Sequence, residues 1–447
     1  MPTTRPARTP RRTAHRTPRR TAAVLALALA PLAAGALAAP AAAHAPRAAF
    51  ALRATLDVSG EVAEILSVSP DGRTAWYTDS ATGQVGVVDL SDPAHPRQRG
   101  VVDLGGEPTS VAVTPDGRYA LAVVDTTDGA FATPSGHLAV IDTRTSRVVR
   151  TIDLGGQPDS VAVAPDGRRA AVVVEDQRDE DLVVGGVEGG LPQAPAGFLS
   201  VVHLEGAPQR WSATPVDLTG LPGAAFPEDP EPEFVDVNRA GVAAVTLQEN
   251  NAVALVDLRA ARVVGSFSAG TVRRADADTV DDGVVAFDDP LSAPREPDAV
   301  QWTPEGNLVT ADEGDLAAEP SGGRGWTVFS PRGEVLWTAG SSAERALADA
   351  GRYPDGRSDD RGAEFEGAEV ATLRGTTYAF VAAERGDAVL AYDLREERRP
   401  RLVQVLATGD SPEGVVAVPG RGLLLTADEG DGTISVFALE RQRRHRS

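Results

Sequence analysis

Through residues 295–315 the chain alternates apolar and polar positions at 299–302, breaks at Pro304-Glu305-Gly306-Asn307, and resumes an apolar run at Leu308-Val309-Thr310-Ala311. Two short runs joined by turn residues predict a β-hairpin. Acidic clusters flank it, Glu296-Pro297-Asp298 before and Asp312-Glu313-Gly314-Asp315 after. Both therefore fall at the open end of the hairpin, where carboxylates distant in sequence become neighbours.

The same layout recurs. Polar residues open a hairpin at Glu61, Glu107, Gln157, Glu231, Glu296, Glu366 and Glu413, and close it at Asp79, Asp125, Glu175, Glu249, Glu313, Glu384 and Glu429, with separations of 18, 18, 18, 18, 17, 18 and 16 residues. A third run follows each closer, as at 85–89, 138–142, 252–257 and 388–393, and in most units a fourth, as at 148–154 and 402–406. Four strands per unit, repeated seven times, predict an all-β fold: a seven-bladed β-propeller of four-stranded blades over residues 47–439. The last unit has only three runs. The segment 51–56 at the other end supplies its fourth strand and closes the ring.

In such a blade the openers and closers share one face beside the central channel, whereas the Pro-Asp-Gly-Arg turns at Pro70, Pro115 and Pro165 lie on the other and need only a turn reading. Insertions at 175–198, 206–228, 270–294 and 340–364 are rich in Asp, Gly and Pro and read as loops.

Composition narrows the chemistry. Of 447 residues, 42% are hydrophobic and 5% aromatic, with 45 Gly and 33 Pro, which suits a large turn-rich globular chain. The first 20 residues carry seven arginines and no acid, an apolar run follows to about residue 43, and Ala41-Ala42-Ala43-His44-Ala45 offers a cleavage site. Residues 1–46 thus read as an export signal, by an ordinary or a twin-arginine route, with an uncleaved membrane anchor as the rival. Without those arginines the net charge falls from −21 to about −28. Nucleic acid and stable membrane insertion are not expected, a monomer is, and cations or a basic small-molecule or protein ligand are the natural partners. The basic tail, residues 440–447, carries no apolar anchor.

The chain has no Cys and no Lys, and beyond His15, His44 and His445 only His95, His137 and His203. Disulfides, thiolate or Schiff-base catalysis and a Walker-type phosphate loop are excluded, and a zinc enzyme or Ser/His/Asp hydrolase is hard to build from three scattered histidines. What remains is the acidic face. Its candidate metal ligands are Glu296, Asp312, Glu313, Glu366, Glu384, Glu413, Asp428 and Glu429, within a wider set that includes Asp298, Asp315, Glu369, Asp387 and Asp431. Hard oxygen donors favour Ca²⁺, or Mg²⁺, although solvated loop carboxylates need no ion. Arg295, Arg324, Arg385 and Asn250 are the candidate ligand-binding residues. The acid-rich stretch 276–283 resembles a calcium loop in composition but not in spacing, and Trp302 and Trp326 read as strand packing.

The first three units, with PDSVAVAPDG at 158–167 and LAVID at 138–142, resemble YVTN-type propeller repeats. From about residue 231, EPEFVDVN, VTLQENNAVALVDL, REPDAVQW, LVTADEGD and SPEGVVAVPGRGLLLTADEGD resemble the choice-of-anchor I family of secreted bacterial propellers. That resemblance implies an exported or surface-attached protein without assigned chemistry. Some similar domains adjoin phosphoesterase modules or are compared with esterase-like phytases, so the functional alternatives are a cation-binding recognition scaffold and a Ca²⁺-dependent hydrolase of phosphoesters or lactones.

Overall fold

The computed structural model describes residues 49–179, 181–314 and 320–440. The expected export signal, the tail beyond Glu440 and Asp315 lie outside these residues. Seven four-stranded antiparallel sheets follow one another along the chain as propeller blades. Their innermost strands are Leu66–Val68, Glu107–Val113, Pro158–Val163, Pro232–Val237, Pro297–Trp302, Ala368–Leu373 and Pro412–Val418.

Burial explains the apolar pattern strand by strand. The second strand of a blade is covered on both faces by its neighbours, so Tyr119–Asp125 (YALAVVD) and Arg169–Val174 (RAAVVV) are buried almost throughout. The outermost strand is half in water, and in Arg147–Asp153 (RVVRTID) only Ile152 is buried. The core is correspondingly divided into wedges between adjacent blades. Leu121, Val123 and Leu138 of blade 2 pack with Val161, Val172 and Trp211 of blade 3, and the pattern repeats around the ring.

Blade 7 is composite, as the sequence predicts. Phe50–Asp57 pairs antiparallel with Thr433–Leu439, from Phe50 opposite Leu439 to Asp57 opposite Thr433. Phe50 also meets the rings of Tyr378 and Phe380 edge-on at 5.4 and 5.3 Å, tying blade 7 to blade 6.

All four insertions are more ordered than the loops expected for them: 175–198 holds a short hairpin, Val183–Val184 against Val187–Glu188, and 206–228 contains the fourth strand of blade 3, Ser212–Asp217. Residues 271–294 form a hairpin of Thr271–Ala277 against Asp289–Pro294, and residues 342–349 a two-turn helix, Ser342–Asp349. A helix this short leaves little periodic signal, and tertiary contacts stabilise it. Arg274 of the hairpin pairs with the wholly buried Glu344 of the helix at 3.0 Å.

Phe50→Ala is expected to destabilise the fold by about 3 kcal/mol, since it removes a buried aromatic from the seam that closes the ring. Chemical denaturation of the purified variant measures it. A loss below about 1 kcal/mol would mean that ring closure contributes little.

Candidate functional site

Strand register fixes where the acids point. Pro158, Pro232, Pro297 and Pro412 lie opposite Val174, Leu247, Asp312 and Asp428 on the second strands, so the residues after the prolines occupy equivalent places. Those residues are Asp159, Glu233, Asp298 and Glu413, joined by Glu366 from blade 6 and Thr109 from blade 2 around a cavity of about 180 Å³. Glu64 completes this tier in blade 1, close enough to raise the pKa of Glu413. Six of seven blades thus aim a carboxylate at one axis. Close backbone approach keeps the ring tight: a Cβ on Gly367 would lie 2.0 Å from the Glu413 carbonyl, and one on Gly414 2.2 Å from that of Glu64.

A second tier lies at the ends of the second strands, where Ser80, Asp125, Glu175, Gln248, Glu313, Glu384 and Glu429 follow one another around the ring. The two tiers differ in how their charge is met. Ser80 of the second donates a hydrogen bond to Glu64 of the first, and within the second Gln248 Nε2 donates to Glu313 at 2.8 Å, Arg361 pairs with Glu313 at 2.8 Å, and Arg385 with Glu384 at 2.8 Å. Arg178 is buried beside it among Asp229 (3.3 Å), Glu231 (2.8 Å) and Glu249. Among the described residues, no arginine reaches salt-bridge distance of Asp159, Glu233, Asp298, Glu366 or Glu413.

Carboxylates crowded at low dielectric without a counter-charge hold their protons. Burial, then Asp159 and Glu384, pushes Asp298 up to about 8, and burial, then Glu231, pushes Glu175 up to about 8. Burial raises Glu64 to about 7, the Ser80 hydrogen bond working against it. Asp159, Glu233, Glu366 and Glu413 are likewise held well above the carboxylate range by burial, then by neighbouring carboxylates, Glu175 first for Asp159 and Glu233, Glu313 for Glu366 and Glu64 for Glu413.

Two triads could hold a cation. Oxygens of Asp159, Glu175 and Glu233 lie within 4.8 Å of one another, and so do those of Asp298, Glu313 and Glu366. Ligands at 2.3–2.6 Å from one calcium ion are separated by no more than about 5 Å, so each triad falls inside that limit.

The candidates named from sequence divide accordingly. Glu366 and Glu413 lie in the first tier, and Glu313, Glu384 and Glu429 in the second. Asp312 and Asp428 lie one residue back along the strand and are buried. Asp312 accepts hydrogen bonds from Thr310 (2.6 Å) and Thr327 (2.5 Å), and Asp428 from Thr426 (2.7 Å), Ser435 (2.7 Å) and Thr433 (3.0 Å). These two lock strands together rather than line the channel. Glu296 precedes its proline at φ +46°, and its backbone N–H donates to Asn251 at 3.0 Å.

Arg324 is wholly buried and donates to the carbonyls of Asp278, Ser358 and Asp360 at 2.6, 2.7 and 2.5 Å, so it pins insertions together. Arg295 donates to Ala269 O (2.7 Å) and Thr327 (3.2 Å), and Asn250 to the carbonyls of Ala225 and Asp229, both at 2.8 Å. Only Arg385 of the four stands beside the acidic tiers. Within 276–283 the carboxylates diverge: Asp276 binds Ser341, Asp278 the Ala286 N–H and Asp282 the Val284 N–H. Trp326 is buried against Trp337 and Tyr392 at ring distances of 4.5 and 4.8 Å.

Sequence reasoning passed over Glu64, Asp159 and Glu233 as ligands, and Arg178 and Arg361 as their neighbours. A signal existed: Gln157-Pro-Asp, Glu231-Pro-Glu, Glu296-Pro-Asp and Ser411-Pro-Glu repeat one motif whose last residue faces the axis.

Fold and site together define a seven-bladed β-propeller with an acidic axial channel. The choice-of-anchor I domain matches residues 64–321 and 317–397, and the chain belongs to that family. No curated protein matches it. Among solved structures it is similar to hydrazine synthase of Kuenenia stuttgartiensis (16% identity, 85% of this chain and 96% of that one, TM-score 0.55). It is also similar to the Cps50 (Swd1) β-propeller domain of Myceliophteria thermophila (10% identity, 88% and 100%, TM-score 0.55). At such identities the likeness is one of fold alone. Among the described residues no helix is long and apolar enough to cross a membrane.

The raised carboxyls make stability depend on pH. Their folded pKa values exceed their unfolded ones, so the folded state binds more protons between about pH 4.5 and 8, and stability falls as pH rises through that window. Chelator-treated protein is expected to be at least about 2 kcal/mol less stable at pH 8 than at pH 5, a tenfold change in one carboxyl's proton affinity being worth about 1.4 kcal/mol. Asp298→Asn should flatten the dependence. Urea denaturation at both pH values reads this out, and equal stabilities would show that the first tier carries no such strain.

Proposed function

We propose that the protein is an extracellular or surface-attached propeller module that binds a hard divalent cation, Ca²⁺, on the axis of its acidic face, and that the occupied face serves as a recognition surface. One observation carries the reading: six carboxylates on one axis with, among the described residues, no arginine at salt-bridge distance, adjoining a second tier in which arginines and an amide meet only Glu313 and Glu384. Cation binding at either triad would replace the protons that the crowded carboxyls otherwise hold. The family supports the extracellular setting.

Calorimetric titration of Ca²⁺ into chelator-treated protein at pH 7.5 is expected to show saturable binding with net proton release, measured by comparing buffers of different ionisation enthalpy. Affinity should rise from pH 6 to pH 8, and Glu233→Gln or Asp298→Asn should weaken binding about tenfold or more at its own triad. Absence of saturable binding at pH 8 would overturn the reading.

The hydrolase alternative draws on Arg361, which stands at the second triad where an anionic substrate group would approach a bound ion. Its signature is metal-dependent turnover of a phosphoester or lactone panel, lost in Glu313→Gln. Tight calcium binding without turnover favours the scaffold.

A further inference from the structure

On the face opposite the acidic mouth, the charge reverses. A groove of about 440 Å³ between blades 3 and 4 is lined by Arg168, Arg169, Arg239 and Arg259, with Asn238 and a single acid, Asp166. Four guanidiniums converge here on a chain of net charge −21. Asp166 is already committed, accepting the Arg168 backbone N–H at 2.9 Å within its turn. Asn238 likewise accepts the Ala240 N–H at 2.9 Å. Among the described residues none of the four arginines has an ion-pair partner. The Nε of Arg169 is fully buried and lacks any hydrogen-bond partner.

The groove between blades 7 and 1 shows how the fold normally treats an arginine there. Arg421, on the corresponding turn of blade 7, donates to the carbonyls of Gly72 (2.7 Å), Leu90 (2.5 Å) and Ser91 (3.2 Å). In blade 4 the position of Ser91, after the shared Val-Asp-Leu, is held by Arg259. The receiving blade thus brings further arginines to the groove. Like charges brought together with a buried donor unmet are a receptor for an anion, and the planar fork of arginine matches tetrahedral oxyanions in two-point contacts.

We propose that this groove binds a phosphate- or sulfate-bearing small molecule. The site is independent of the axial cation reading, on the other face and built from other residues. Arg169 supplies the buried donor at its floor, and Arg168, Arg239 and Arg259 close around the oxyanion from the two blades. The Pro165-Asp166-Gly167-Arg168 segment, a turn by sequence, is then also one wall of the site.

The test is calorimetric titration of the full chain at low ionic strength, in a chloride buffer free of phosphate and sulfate, with inorganic phosphate, sulfate and glucose 6-phosphate as probes. Saturable binding of at least one probe is expected. Arg169→Gln and Arg239→Gln should each weaken it about tenfold or more, while Arg147→Gln, an exposed arginine on the outer strand of blade 2, leaves it unchanged. Tighter binding of the ester assigns an esterified ligand, and tighter binding of an inorganic probe a free oxyanion. Should Arg169→Gln not fold, Arg259→Gln at the exposed rim gives the same readout. No saturable binding by any probe, or wild-type affinity in Arg239→Gln and Arg259→Gln, overturns the proposal.

Discussion

Mutual repulsion among carboxylates on one axis is the constraint around which the rest of the molecule is arranged. A propeller presents the same strand position from every blade to a common centre, so an acid repeated there is multiplied by the symmetry. The protein meets that repulsion in two ways. Near the strand ends, Arg361, Arg385, Arg178, Gln248 and Ser80 supply counter-charge or hydrogen bonds. On the innermost strands, apart from the Ser80 hydrogen bond to Glu64, no arginine among the described residues reaches salt-bridge distance, which leaves proton uptake or an ion. The insertions serve this arrangement: Arg178 and Arg361 both come from segments outside the regular blades, and Arg324 and Glu344 hold two of those segments in place.

Most of the architecture was legible in the sequence because a blade writes its burial into the chain. Short apolar runs bounded by Gly, Pro and Asp gave strand number and order, and the three-stranded last unit announced the composite blade. The site was legible only in outline. Counting from the first polar residue of each hairpin put Glu366 and Glu413 on the axis, but in blades 4 and 5 it selected Glu231 and Glu296, which precede the proline. Register decides the difference: a shift along a strand changes which face a side chain takes. Likewise Asp312 and Glu313 are adjacent in sequence, yet one is a buried hydrogen-bond acceptor and the other lines the channel. Arg324 and Arg361 could not be told apart either, since their roles depend on how separate insertions fold against one another.

The two faces of the ring have acquired opposite chemistry from one repeat. Openers and closers collect acids on one side, whereas the turns between first and second strands collect arginines on the other. With no lysine in the chain, every fixed side-chain cation apart from histidine is a guanidinium. That suits fork-like pairing with carboxylates at the mouth and, among the described residues, leaves forks without an ion-pair partner between blades 3 and 4.

Pairing of Phe50–Asp57 with Thr433–Leu439 also has a temporal meaning. The strand made first in the propeller cannot find its partner until the one made last has been synthesised, so the circle stays an open arc throughout elongation. During that interval both ends of the arc expose unsatisfied backbone, a template for intermolecular association. Long-range closure of this kind slows folding, and it leaves the open arc exposed to association until its last strand is in place.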